Sequence, residues 1–92
     1  MQARYDEGEA FFKQGKHDKA LAAYRAAVEK DPEMSDAWFA IGTAELAKNG
    51  GRPCEAMHDP LKRCVELDPN NAIAHCNLGR VLLEVRKDDV RA

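Results

Sequence analysis

Apolar and small residues recur at helical spacing along this chain, in stretches that are separated by glycine and proline. The first stretch ends at Gly15, a residue suited to a left-handed helix cap, and Asp18 is predicted to cap the start of the second. The second stretch ends at Asp31-Pro32, because the residue before a proline is disfavoured in the α region. The pattern predicts two helices joined by a short turn.

The same pattern returns further along the chain. Gly8 and Gly42 are 34 residues apart, and Gly42 and Gly79 are 37 apart. Asp31-Pro32 returns 37 residues later as Asp68-Pro69. Each glycine falls within a first helix, where a small residue lets a second helix approach closely. A repeat of this length is typical of stacked helix pairs, so the chain is predicted to contain two complete pairs and the start of a third.

These residues resemble the tetratricopeptide repeat family, whose consensus reads W-x2-L-G-x2-Y, then A-x3-F, a small residue and P. The resemblance covers essentially the whole chain, and its matching residues are Gly8, Phe11, Ala20, Tyr24, Ala27, Pro32, Trp38, Ile41, Gly42, Ala56, Cys64, Pro69, Leu78, Gly79 and Leu82. It implies an all-α solenoid of antiparallel helix pairs in a right-handed superhelix, with about five helices. It also implies a single domain with repeats at about 1–34, 35–71 and 72–92, the last one incomplete.

The first repeat departs from the consensus at Arg4 and Glu7, where the family prefers tryptophan and leucine in the packed seam. Polar residues there suggest that no repeat precedes this one. In the second repeat Glu45 replaces the consensus aromatic, so we expect a thinner contact between its two helices.

The second repeat is three residues longer than the consensus. Two extra residues fit in the turn at 49–53, and the third falls around Pro60. Proline inside a helix removes a hydrogen bond and clashes with the preceding turn, at a cost of about 3 kcal/mol. We therefore expect one helix over residues 54–67 with a kink or bulge at Pro60. The alternative is a new helix that Asp59 caps, with Pro60 at its first position.

The third repeat stops before most of its second helix, which leaves apolar residues from Leu78 to Val85 with little to pack against. One interpretation is a fragment of a longer protein whose next repeat begins near Asp88. The other is that the open C-terminal end pairs with a second copy of the chain, which would make a homo-oligomer.

Charge and composition narrow the function. The net charge is −2 with both signs interspersed, which predicts neither nucleic acid nor an anionic membrane as a partner. No apolar run approaches the roughly 18 residues of a membrane span, and the residues after Met1 do not resemble a secretory signal. Three cysteines at irregular spacing favour a reducing compartment over a disulfide framework. These features predict a cytoplasmic protein.

The sequence offers little for catalysis. The Gly50-Gly51 pair lacks the lysine and the strand context of a phosphate-binding loop. Cys54 and His58 are one helical turn apart, but zinc needs about four convergent ligands. Cys64 occupies the small-residue position of the repeat, where a buried thiol behaves as a small hydrophobe. We therefore expect no enzymatic activity, no cofactor and no metal.

The resemblance places the binding surface on the concave side of the superhelix, which the first helix of each repeat lines. The residues at these positions are Gln2, Tyr5, Glu9, Phe12, Lys13, Asp36, Phe39, Thr43, Leu46, Ala47, Ile73, Cys76, Arg80, Leu83 and Glu84. Most are apolar or aromatic, so we expect an apolar or amphipathic segment of a partner protein to bind there. The alternative is that Phe12 and Leu46 only complete the core between helices.

One subclass of the family grips the C-terminal carboxylates of chaperones with groove lysines, asparagine and arginine. The corresponding positions here hold Tyr5, Glu9, Ala40, Ile73 and Asn77. The lysines and the arginine are missing, and Glu9 would repel a carboxylate, which argues against that ligand. The leading hypothesis is a non-enzymatic scaffold or adaptor module, and the runner-up is a regulatory or targeting arm of a larger enzyme.

Overall fold

Five α-helices follow one another in residues 3–86, the part of the chain that the computed structural model describes. They are α1 (Ala3–Lys13), α2 (His17–Lys30), α3 (Ser35–Lys48), α4 (His58–Leu67) and α5 (Ala72–Val81). A 3₁₀ turn, Glu55–Met57, precedes α4, and a π-helical turn, Leu82–Arg86, follows α5. Each helix packs against the next one along the chain. The predicted all-α solenoid is confirmed, while Gln2 and Asp88 lie outside the described residues.

The two turns within repeats are closed by glycines in the left-handed region. Gly15 has a φ of 76° and its amide donates to the Phe12 carbonyl, while the Lys16 amide donates to the Phe11 carbonyl at 2.9 Å. These two bonds form a Schellman motif, which satisfies carbonyls that the end of α1 leaves unpaired. The end of α3 repeats it, with φ values of 70° at Gly50 and 82° at Gly51. The glycine cap predicted at Gly15 is confirmed.

The Asp-Pro pairs end the second helices as predicted. Asp31 and Asp68 follow the last residues of α2 and α4, with φ values of −137° and −136° and ψ values of 85° and 82°. The proline after each aspartate disfavours helical ψ at the aspartate. Each aspartate also accepts a hydrogen bond at Oδ1 from the backbone amide two residues later, which fixes the turn into the next helix.

The core has two parts, and glycine permits the close approach in each. The first lies among α1, α2 and α3 around the fully buried Tyr24, and the second lies among α3, α4 and α5 around Leu61. A Cβ at Gly8 would lie 2.6 Å from ring carbons of Tyr24, and one at Gly42 would lie 2.8 Å from Leu61 Cγ. Burial of a large apolar side chain contributes about 1.5–3 kcal/mol, so these contacts hold each pair of helices together.

Two local predictions are wrong. Asp18 does not cap α2, because the helix begins at His17 and the Asp18 carboxylate lies 2.8 Å from Lys48 Nζ of α3 instead. The single kinked helix over residues 54–67 is also absent, because the 3₁₀ turn takes up the extra residue and α4 begins at His58. Pro60 is then the third residue of α4, where its missing N–H would have no partner within the helix.

Glu45 makes a contact that the sequence did not predict. Its side chain is only 10% exposed, and Oε2 accepts a hydrogen bond from Arg25 Nη2 of α2 at 2.8 Å. A charge-assisted pair therefore joins α2 to α3 at the position where the family prefers an aromatic residue.

Candidate functional site

A cavity of about 100 Å³ opens between α1 and α3, on the face predicted to form the groove. Its lining residues are Tyr5, Glu9 and Phe12 of α1, Tyr24 of α2, and Phe39, Ala40 and Thr43 of α3. Five of these seven belong to the predicted groove set. The stacking of the first two repeats thus brings side chains that are about 30 residues apart in sequence into one site.

The floor of the cavity is Tyr24, which α2 places between the two first helices. Its hydroxyl donates to Glu9 Oε2 at 2.9 Å, and its ring centroid lies 5.6 Å from that of Tyr5 at an interplanar angle of 46°. Burial and the neighbouring Glu9 carboxylate raise the pKa of Tyr24 above its ordinary value of 10.0. The phenol therefore remains a neutral donor that holds Glu9 at the edge of the aromatic rings.

The pKa of Tyr5 is raised by burial and by the charges near it. Burial is the largest cause that raises its pKa, and the charges of Glu9, Asp36 and Asp6 raise it further. All three charged groups are acidic, and they come from both α1 and the start of α3. The charges that raise the pKa of Tyr5 are therefore all negative.

The α3 side of the cavity is apolar. Phe39 is half-buried and also packs against the second part of the core, which fixes its ring. The Thr43 hydroxyl donates its one hydrogen bond to the Phe39 carbonyl at 3.0 Å. Ala40 is buried, and its small side chain leaves room that a larger residue would fill.

Tyr24 and Ala40 were not among the predicted groove residues. Tyr24 is a consensus position of the repeat, Ala40 was considered only in the comparison with the chaperone-binding subclass, and both are buried. The signal for Tyr24 is its hydroxyl, since a buried tyrosine usually finds a hydrogen-bond partner and Glu9 provides one.

The remaining predicted residues lie away from this cavity. Lys13 ends α1 and Asp36 lies in the first turn of α3, and both are exposed. The half-buried Leu46 packs against the second part of the core, as its alternative interpretation expects. Ala47 of α3 is half-buried. On and after α5, Ile73 and Leu83 are 63% and 55% exposed, and Cys76 is also exposed. Arg80 forms an ion pair with Glu84 at 3.8 Å.

Phe12 has both of the roles considered for it. It packs against the first part of the core and contacts His17 in a tilted arrangement, with ring centroids 5.4 Å apart, but it also lines the cavity. Its ring is therefore a fixed wall of the site and not a mobile surface group.

Within residues 3–86, no group of three or more His, Cys, Asp or Glu side chains is arranged to hold a metal ion. Burial raises the pKa of the Cys64 thiol, which keeps it in its unreactive form. None of the described helices is long and apolar enough to cross a membrane.

Sequence comparison agrees with this architecture. Two family profiles, both described as tetratricopeptide repeat, match residues 5–72 and 61–89. Curated relatives include the peroxisomal targeting signal receptor of Yarrowia lipolytica, 32% identical over 71% of this chain and 10% of that protein. The protein O-mannosyl-transferase TMTC3 of Homo sapiens is 31% identical over 90% of this chain and 9% of that protein. A UDP-N-acetylglucosamine--peptide N-acetylglucosaminyltransferase of Giardia intestinalis is 33% identical over 79% of this chain and 5% of that protein.

The chain thus spans a tenth or less of the length of these relatives. Two of them are named as transferases and one as a receptor. The stretches that these relatives share with this chain are 65, 83 and 75 residues long.

Proposed function

The chain belongs to the tetratricopeptide repeat family, and on this premise we propose that it is a non-catalytic module that binds a segment of a partner protein on the face lined by α1, α3 and α5. Stacked repeats create an extended concave surface of this kind. The proposal divides the chain into repeats at 1–34, 35–71 and 72–92, the second with the three-residue insertion.

The observation that carries the proposal is the cavity between α1 and α3. Its walls are aromatic and apolar, they come from the first helices of two successive repeats, and they are rigidly packed from behind. Sites that bind a ligand are usually concave, mostly apolar and pre-formed, with a few polar groups for orientation. Ile73 and Leu83 are exposed and apolar, and in this proposal they continue the binding surface toward the end of the chain.

A second candidate is an interaction arm of a larger enzyme. Two relatives are transferases by name, and this chain aligns with a tenth or less of each of them. In that case the groove would still bind a protein segment, while catalysis would belong to another part of the protein.

Selection of binding peptides from a random display library tests the proposed groove. The library presents short peptides, because a groove of this kind binds a short segment of its partner. We expect selected peptides to bind the unmodified chain and to lose at least about tenfold in affinity, or 1.4 kcal/mol, when Phe39 is replaced by alanine.

Phe11→Ala is the matched control for Phe39→Ala. Phe11 is also a half-buried phenylalanine that packs on the core, but it lines a shallow hollow on the other side of α1, next to Arg4 and Lys19. We expect Phe11→Ala to bind as the unmodified chain does, with thermal melts to show that both variants are folded. If the peptides still bind Phe39→Ala but no longer bind Phe11→Ala, the binding surface lies on the other side of α1 and the proposal is wrong.

A further inference from the structure

The cavity between α1 and α3 has room for the end of one side chain. Apolar cavities of roughly 150 Å³ admit a molecule the size of benzene, and this one measures about 100 Å³. It is partly open to solvent, and the buried Tyr24 is among the residues that line it. A partner segment that crosses the groove can therefore insert one extended side chain here.

Aromatic rings are concentrated at this point of the fold. The chain contains one tryptophan, two tyrosines and three phenylalanines, and four of these six residues line the cavity. They are Tyr5, Phe12, Tyr24 and Phe39. The face of an aromatic ring carries a partial negative charge, which attracts a cation within about 6 Å of the ring centroid.

The polar group among these rings is a carboxylate. Glu9 is half-buried and receives the Tyr24 hydroxyl at Oε2. A carboxylate offers about four acceptor positions, so this bond leaves capacity for a further donor. Asp36 and Asp6 do not line the cavity, but their negative charges raise the pKa of Tyr5, which does.

Apolar, acidic and cationic side chains would differ in their effect on Glu9 if they entered the cavity. An apolar side chain would displace water from the carboxylate without replacing its hydrogen bonds, and burial of an unpaired charge is costly. An acidic side chain would be repelled by Glu9 and by the faces of the rings. A long side chain with an apolar stem and a cationic end packs its stem against the rings and pairs its charge with Glu9.

We propose that the cavity between α1 and α3 binds a lysine or arginine side chain of the partner segment, held by Tyr5, Phe12, Phe39 and the Glu9 carboxylate. This inference rests on the proposed function and specifies it. The partner segment has a basic residue at the position that faces the first two repeats, and it is not apolar throughout.

Small cations test the cavity without a known partner. The probes are n-butylammonium, which has the end of a lysine side chain, N-propylguanidinium, which has that of arginine, and n-butanol as the neutral match. Ring resonances of Tyr5, Phe12 and Phe39 in the isotope-labelled chain report binding. We expect saturable shifts with at least one cation and binding at least about fivefold weaker for n-butanol. The two cations separate the lysine and arginine forms of the proposal.

Glu9→Gln and Glu7→Gln are the paired variants. Both remove one negative charge from α1, and glutamine at position 9 retains an acceptor for the Tyr24 hydroxyl. Glu7 lies on the other side of the helix, where it pairs with Arg4 at 3.4 Å. We expect Glu9→Gln to weaken cation binding at least about fivefold and Glu7→Gln to leave it nearly unchanged.

Three results would overturn the inference: no ring shift with either cation, equal binding of n-butanol, or equal effects of the two glutamine variants. The peptide selection described above judges the proposed function separately. If the selected peptides need Phe39 for binding but contain no lysine or arginine, the proposed groove is supported and the proposed binding of a basic side chain is refuted.

Discussion

Gly42 provides the sharpest test of how the helices pack. It lies in α3 at a position that repeats in each unit, and its backbone is an ordinary helix that alanine can adopt. A Cβ there would lie 2.8 Å from both Cγ and Cδ2 of Leu61, a side chain that is fully buried. Carbon atoms in contact prefer about 3.5–4.0 Å, so Gly42→Ala forces α3 and α4 apart or displaces Leu61.

Two opposing effects set the magnitude. Alanine is favoured over glycine within a helix by about 1 kcal/mol. Overpacking of a well-packed core costs about 1–3 kcal/mol, and the two simultaneous short contacts here place Gly42→Ala in the upper part of that range. We therefore expect a net loss of about 1–2 kcal/mol in the free energy of unfolding, or a decrease of roughly 5–10 °C in Tm for a chain of this size.

Gly79→Ala is the matched comparison. Gly79 occupies the same position in the third repeat, but apart from its chain neighbours and the backbone of its own helix, no described residue lies within 4 Å of a Cβ placed there. Only the helix propensity then acts, so this variant is expected to gain about 0.5–1 kcal/mol. Thermal and urea unfolding followed by circular dichroism would measure both variants.

The packing explanation would be refuted if Gly42→Ala raised Tm as much as Gly79→Ala does. Gly8→Ala gives a second check, because its Cβ would lie 2.6 Å from ring carbons of Tyr24. It is expected to behave like Gly42→Ala, with a lower Tm than the unmodified chain.

Three further predictions concern single side chains. Because the pKa of Tyr24 is raised in the fold, the unfolded chain loses this proton first as pH rises past its ordinary value of 10.0. The free energy of unfolding should then decrease above about pH 10, and less steeply in Tyr24→Phe, as urea titrations at several pH values would show. Arg25→Ala leaves the buried Glu45 without its partner and should cost about 1 kcal/mol in urea unfolding. Pro60→Ala should change the free energy of unfolding by less than about 1 kcal/mol, because proline is tolerated in the first turn.

Each of these has a result that contradicts it. An identical pH dependence in Tyr24→Phe would refute the assignment to this phenol. For Arg25→Ala the control is Lys48→Ala, which breaks an exposed pair of the same 2.8 Å length with Asp18 and should not change Tm measurably. Equal effects would show that burial of Glu45 does not matter. A gain of about 3 kcal/mol in Pro60→Ala would mean that the proline strains a helix interior.

Features with a local physical cause could be predicted from the sequence. Gly15 closes a turn because glycine readily adopts the positive φ that the turn requires. Asp31-Pro32 ends a helix because the proline disfavours the helical conformation at Asp31. The repeat of these signals gave the number and order of the helices. The resemblance to the repeat family also implied that Tyr5 and Phe39 lie on the same face.

Features that depend on distant partners could not be predicted in this way. Asp18 has the chemistry of a helix cap, but Lys48 of another helix competes for its carboxylate. Glu45 looked like a weak point, and its pairing with Arg25 becomes visible only when α2 and α3 are packed. The acidic character of the cavity likewise depends on how Tyr24 orients Glu9, a contact across 15 residues of sequence.

The central claim is that the face lined by the first helices is the binding surface. The most direct measurement is a two-dimensional NMR titration of the labelled chain with the tightest peptide from the display selection. We predict that amide shifts concentrate around Tyr5, Glu9, Phe39 and Thr43. Shifts concentrated instead around Phe11 and the outer face of α2, with the cavity residues unchanged, would contradict it.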